Sequence, residues 1–138
     1  MKENPKSEYR NSKQIRMSKT EEKTKQYDLE ERTFEFANNV REFVKSLPRT
    51  VTNEHDTRQL VRASGSVGAN YIEANESLSK KDFVMRIKIS RKEAKESRYW
   101  LRLLDTGDKQ SLDKTRVALI QEASELMNIF GSIVRRSE

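Results

Sequence analysis

Two pairs of carboxylates stand three residues apart in stretches that read as helix: Glu73 with Glu76, and Glu93 with Glu96. That spacing sets both members of a pair on one helix face, the arrangement by which some helix bundles hold a di-iron centre. Such centres also need Glu-x-x-His on two helices. The single histidine, His55, sits near the start of its helix with no partner of that kind. Neither a metal nor any other cofactor is therefore expected. A serine nucleophile would need a nearby base, and one histidine at a helix end makes a poor candidate. The chain has no cysteine, which removes disulfides, thiolate zinc sites, iron–sulfur clusters and cysteine nucleophiles together. The expectation is a protein that is not an enzyme.

Positive charge offers a different chemistry. At 100° per residue, Lys81, Lys88, Arg91, Lys92, Lys95, Arg98 and Arg102 fall on one face of a helix with no acid between them. A phosphate backbone binds clustered cations mainly through counterion release, so a continuous row matters more than fine geometry. The same row is equally what a solvated surface looks like, its long stems lying along the bundle and its heads pairing with acids of neighbouring helices. Tyr99 and Trp100 would add stacking on unpaired bases, although Trp100 also suits a core or an interface. No RRM or KH pattern accompanies them.

On that helix Phe83, Ile87, Ser90, Ala94, Ser97, Leu101 and Leu104 form the face expected to enter the core. Met85, Ile89, Trp100 and Leu103 form a third face, interrupted by Glu93 and Glu96. A helix in a monomeric bundle buries one apolar face, so a second one holding the only tryptophan is expected to be a subunit interface of a homo-oligomer. The leading expectation is a binding protein whose partner is nucleic acid, RNA or DNA. The alternative is a protein–protein scaffold with no direct nucleic-acid role, in which the third face docks another protein such as a polymerase.

These residues must be positioned by something, and composition says helices. The chain has 138 residues, 36% of them charged, with two prolines and four glycines. Its mean hydropathy of −0.97 allows one modest core and hence one domain. The formal charge is +6 and the pI near 9.6. No uninterrupted apolar run approaches the roughly 18 residues a bilayer span needs, and the first residues lack the apolar core of a secretory signal. A cytoplasmic protein with no membrane partner is expected. Residues 1–26 carry eight lysines and arginines against four glutamates and almost nothing apolar, which reads as a basic, mobile, disordered tail. Met17 offers a second possible start, because patterned sequence begins only after it.

From Asp28 onward four segments keep the 3.6-residue period. The first carries Leu29, Thr33, Phe36, Val40, Phe43, Val44 and Leu47 and stops at Pro48. The second carries Leu60, Ser64, Val67, Tyr71, Ala74 and Leu78, with Asn53 as its expected N-cap and Ser79 as the cap that restarts the chain. The third spans about 80–104. The fourth spans about 112–134 with Leu112, Leu119, Ala123, Leu126, Phe130 and Ile133, and Gly107 supplies a left-handed turn between the two. Four amphipathic helices joined by short turns predict an all-α, antiparallel up-down-up-down four-helix bundle over residues 27–136.

The stretch "SGSVGAN", residues 64–70, breaks the helical composition without breaking its period. Gly65 and Gly68, flanked by Ser64, Ser66 and Ala69, predict a surface where another backbone comes close, at about 1 kcal/mol of helix propensity per glycine. A phosphate-cradling loop would need a preceding strand and a following Lys-Ser or Lys-Thr, and neither is present. Asn70 and Glu73 are expected to form buried or half-buried polar links to arginines of the third helix, fixing register, since an unpaired interior carboxylate is costly.

"RASGSVGANYIEANESLSKKDFVMRIKISRKEAKESRYWLRLL", residues 62–104, resembles the signature region of the 23S rRNA intervening-sequence proteins, and "YDLEERTFEFANNVREFVKSLP", residues 27–48, resembles that family's first helix. The similarity covers about residues 27–136. Its specific elements are Asn70-x-x-Glu73, "SKKDF" and "EAKES". The resemblance implies a small bacterial four-helix bundle, commonly a homopentamer, with no established enzymatic activity. It also implies kinship with the basic accessory protein of diversity-generating retroelements, whose partners are a reverse transcriptase and nucleic acid.

Overall fold

Proline sets the first corner. With no amide proton and a ring that crowds the preceding turn, Pro48 cannot continue a helix, and the amides of Ser46 and Leu47 close the last turn by bonding three residues back, to the carbonyls of Phe43 and Val44. Two residues later Thr50 adopts an extended backbone and its hydroxyl accepts the amide of Asn53 at 3.1 Å, which starts the next helix. In a computed structural model that describes residues 12–138, with side chains from residue 28, the chain forms α1 (Ser12–Lys45), α2 (Val51–Asn75), α3 (Lys80–Leu103) and α4 (Gln110–Ser137). No strand occurs among the described residues.

Three starts and stops differ from the expected ones. The cap of α2 is Thr50, not Asn53; the latter lies inside the first turn, buried, with a different task described below. α2 ends at Asn75, so Leu78, expected in its stripe, sits in the turn and is fully exposed. α1 begins at Ser12, well before Asp28. Of the tail expected over 1–26, residues 1–11 lie outside the described residues. The rest joins α1, in keeping with its lysines, glutamates and glutamines, which are good helix formers, and with the absence of proline between Lys6 and Leu47. Met1–Arg32 and Thr33–Glu138 form separate units, and the description that follows concerns the second.

Other signals are as expected. Ser79 caps α3, its hydroxyl accepting the Asp82 amide at 3.1 Å, and Asp82 adds an acid where the helix dipole favours one. Gly107 is left-handed at φ 67°, followed by Asp108 at 61°, a conformation that aspartate tolerates better than most residues.

Cross-helix contacts set direction. Between α2 and α3, Arg62 meets Glu93, the Val67 carbonyl accepts from Ser90, and Asn70 accepts from Arg86. Numbers rise on one helix as they fall on the other, so the two run antiparallel. Arg98 with Ser124 and Lys88 with Glu138 do the same for α3 and α4. For α1 and α2, Arg41 lies by Gly65 and Thr33 by Gly68.

The core holds Phe36, Val40 and Phe43 of α1, Leu60, Val67 and Tyr71 of α2, Ile87, Ala94 and Leu101 of α3, and Leu119, Leu126 and Phe130 of α4. Tyr71 and Phe130 bring their rings to 5.7 Å. Val44 and Phe83 are only half-buried. Ile133, expected in the α4 stripe, is also half-buried and Val134 takes the inner place, because the line continues from Phe130 by four residues rather than three. Ser64, Ser90 and Ser97 are completely buried, each donating to a carbonyl: Val61, Val67 and Glu93 respectively.

Gly68 accounts for its own presence. A β-carbon there would stand 2.9 Å from Thr33 Oγ1 and 3.2 Å from Thr33 Cβ, so only glycine lets α1 come this near. At Gly65 the neighbour is the tip of Arg41, 3.3 Å away, which can move.

Averaged over 18 residues, α4 reaches a mean hydropathy of 1.2, enough by length and composition to cross a membrane although no unbroken apolar run exists. Its apolar side chains Leu112, Leu119, Ala123, Leu126, Phe130 and Val134 are buried in the bundle. The same helix carries Glu122 and Glu125. Of that apolar window, 33% is buried inside the bundle.

Candidate nucleic-acid interface

α3 holds nine basic residues and three acidic ones, a net of +6, which equals the formal charge of the whole chain. The rest of the sequence is therefore neutral in sum, and the question is where α3 directs its charges.

Its acids turn towards α2. Glu93 is buried and Glu96 half-buried, and Arg62 of α2 reaches both, with Nη2 at 3.2 Å and 3.1 Å from their Oε1 atoms. Asp82 lies at the capped N-terminus on the same flank. Arg86, the one base on this side, donates to Asn70 Oδ1 at 2.9 Å, while Asn70 Nδ2 donates to the carbonyl and hydroxyl of Ser66. Asn70 thus makes the expected link to an α3 arginine. Glu73 does not: its carboxylate is exposed, since residue 73 has turned one step past the seam. The half-buried arginine–carboxylate link exists with its polarity reversed, the arginine on α2 and the acid, Glu93, on α3.

Its bases turn the other way. Lys81, Lys92, Lys95 and Arg102 are exposed and meet no carboxylate among the described residues. Lys80, in the first turn, joins them at a helical angle close to that of Arg98. The remaining three lie along the seam with α4. Arg98 donates to the Ser124 hydroxyl at 3.2 Å, Lys88 pairs with Glu138 at 3.1 Å, and Arg91 lies across Gly131. The row is continuous, with Lys88 partly neutralised. Exposed on both members, that ion pair is worth little.

On the third face, Met85 is 48% and Leu103 50% exposed, while Ile89 and Trp100 are half-buried. The Trp100 ring meets His55 edge-on at 5.7 Å and Tyr99 at 5.1 Å. Tyr99 itself is 54% exposed, between the apolar face and the basic row.

His55 has a partner that spacing alone did not reveal. Its Nδ1 lies 2.8 Å from Oδ1 of Asp56, a buried residue, so an imidazole is held by a carboxylate beside an indole ring. Among the described residues no group of three or more histidine, aspartate or glutamate side chains is disposed to hold a metal ion.

The model of the 23S rRNA-intervening sequence protein family matches residues 25–132. No protein of curated function matches. A similar solved structure is the crystal structure of a protein with unknown function from the S23 ribosomal protein family of Bacteroides thetaiotaomicron. It is 27% identical, with a TM-score of 0.64, over 76% of this chain and 96% of that one.

Proposed function

The chain belongs to the 23S rRNA-intervening sequence protein family, and from that premise we propose that it is a homo-oligomeric, non-catalytic protein that binds nucleic acid along the basic row of α3. The observation that carries this reading is the separation of charge on one helix. Glu93 and Glu96 are engaged by Arg62 on the α2 side, which leaves Lys81, Lys92, Lys95 and Arg102 without carboxylate partners on the other. A row used only for solubility has no need to exclude acids. Phosphate backbones are attracted by that exclusion, because each neutralised phosphate releases condensed counterions. Tyr99, exposed beside the row, adds a ring on which an unpaired base can stack.

Self-association rests on Met85 and Leu103, which are large, apolar and half exposed on the helix face next to the row. Joining copies through this face would bring several rows into one assembly and multiply the binding strength of each. A ring of five is the family expectation, and a reverse transcriptase or another protein remains the partner in the scaffold reading.

The test is fluorescence anisotropy of a labelled RNA hairpin and a labelled DNA duplex across a salt series. Binding that weakens steeply with salt, and is abolished by the triple substitution Lys88→Glu, Lys92→Glu and Lys95→Glu without loss of assembly mass, supports the reading. Unchanged affinity in that variant refutes it, and absence of binding at low salt leaves the scaffold role.

A further inference from the structure

We propose that Arg91 of α3 and Arg135 of α4 form a two-arginine clamp for a single phosphate group, seated over Gly131. The proposal deepens the nucleic-acid reading and rests on it for the identity of the natural ligand. It adds a residue outside the α3 row and a defined point of contact.

The placement follows from helix geometry. Side chains on a helix lean towards its N-terminus, so Arg135 lies back over the residue one turn earlier, Gly131. Antiparallel packing brings Arg91 to the same place from α3, between the Lys88–Glu138 and Arg98–Ser124 contacts. A β-carbon at residue 131 would stand 3.4 Å from Arg135 Nη1 and 3.9 Å from Arg91 Nε. Both guanidiniums therefore approach one point above a residue with no side chain of its own.

Neither has an acid to neutralise it. Among the described residues Arg91 and Arg135 form no ion pair, and the nearby carboxylate of Glu138 is held by Lys88. Arg136, next in sequence, donates instead to the Ser132 hydroxyl at 3.0 Å. Two like charges brought together without a counter-charge repel, and an anion bridging them reverses the sign of that interaction. Guanidinium suits phosphate because its planar fork gives two parallel N–H donors to two oxygens. Gly131 is buried beneath the two side chains while both arginines are exposed, so the phosphate would meet the outer edges of the guanidiniums.

Two measurements separate this proposal from the broader one. In the full-length protein, arginine Nε–Hε resonances are followed while inorganic phosphate is added. The expected result is that Arg91 and Arg135 shift together on one saturable curve, and equal, unsaturated drift of all arginines overturns the clamp whether or not RNA binds. For an RNA hairpin, Arg91→Gln and Arg135→Gln are each expected to weaken affinity about tenfold, and the double variant little more than either, since both act on one phosphate. If the two losses multiply independently, the clamp is wrong while the basic row stands. Arg91→Lys with Arg135→Lys is expected to behave like the glutamine pair; full affinity in that variant would reduce both residues to point charges and also overturn the clamp.

Discussion

Asn53 and Asp105, 52 residues apart, exchange two hydrogen bonds: Asn53 Nδ2 donates to the Asp105 carbonyl at 2.8 Å and Asn53 Oδ1 accepts the Asp105 amide at 2.9 Å. The same Nδ2 donates to the Pro48 carbonyl at 2.9 Å. One buried amide thus ties the α1–α2 corner to the α3–α4 corner. Asp105 continues the network by accepting the Gly107 amide, and Arg116 donates to the Leu104 carbonyl beside it.

Asn53→Ala is expected to lower stability by about 3 kcal/mol, since it strands backbone groups at both corners at once. Asn53→Asp should be worse, because it replaces a donor with a carboxylate facing two carbonyls. Urea unfolding followed by circular dichroism gives both numbers, and a loss under about 0.5 kcal/mol would reduce the residue to a surface contact.

Gly68→Ala should destabilise by about 1–3 kcal/mol despite the better helix propensity of alanine, because the new methyl meets the Thr33 side chain at 2.9 Å. Gly65→Ala should be neutral or stabilising, as the Arg41 tip can give way. Equal melting shifts for the two variants would contradict a close approach confined to Gly68.

Removing Arg62 leaves Glu93 buried without its cation. Arg62→Ala is expected to cost about 2 kcal/mol, and Arg62→Met with Glu93→Leu to recover most of it, since a matched apolar pair avoids desolvating two charges. A double variant less stable than the single would show that the pair itself stabilises the seam.

If the Met85 and Leu103 face joins copies of the chain, Met85→Ser with Leu103→Ser should shift the mass by light scattering towards that of one chain while the helical signal is kept. An unchanged assembly would move the interface elsewhere.

The helices and most of their ends were legible in the sequence because their signals are local. Pro48, Ser79 and Gly107 act on their own few residues, and the inner faces of α1 and α3 repeat at fixed steps. Two of the differences arose where local signals competed. Asn53 and Thr50 are both good caps, and only the contact with Asp105 removes Asn53 from the role. Ile133 and Val134 are both apolar, and rotation of the last turn against its neighbours chooses between them.

The sequence by itself determined four amphipathic helices, a close approach at Gly68 though not at Gly65, and a row of cations with no acids, because period, propensity and charge order are properties of a single segment. Tertiary structure alone decided that Glu93, not Glu73, is the buried acid, that Asn53 joins two distant corners, and that Arg135 meets Arg91 over Gly131. Each of those depends on the register between helices. Register is set by how whole faces fit together, which no stretch of one chain encodes locally.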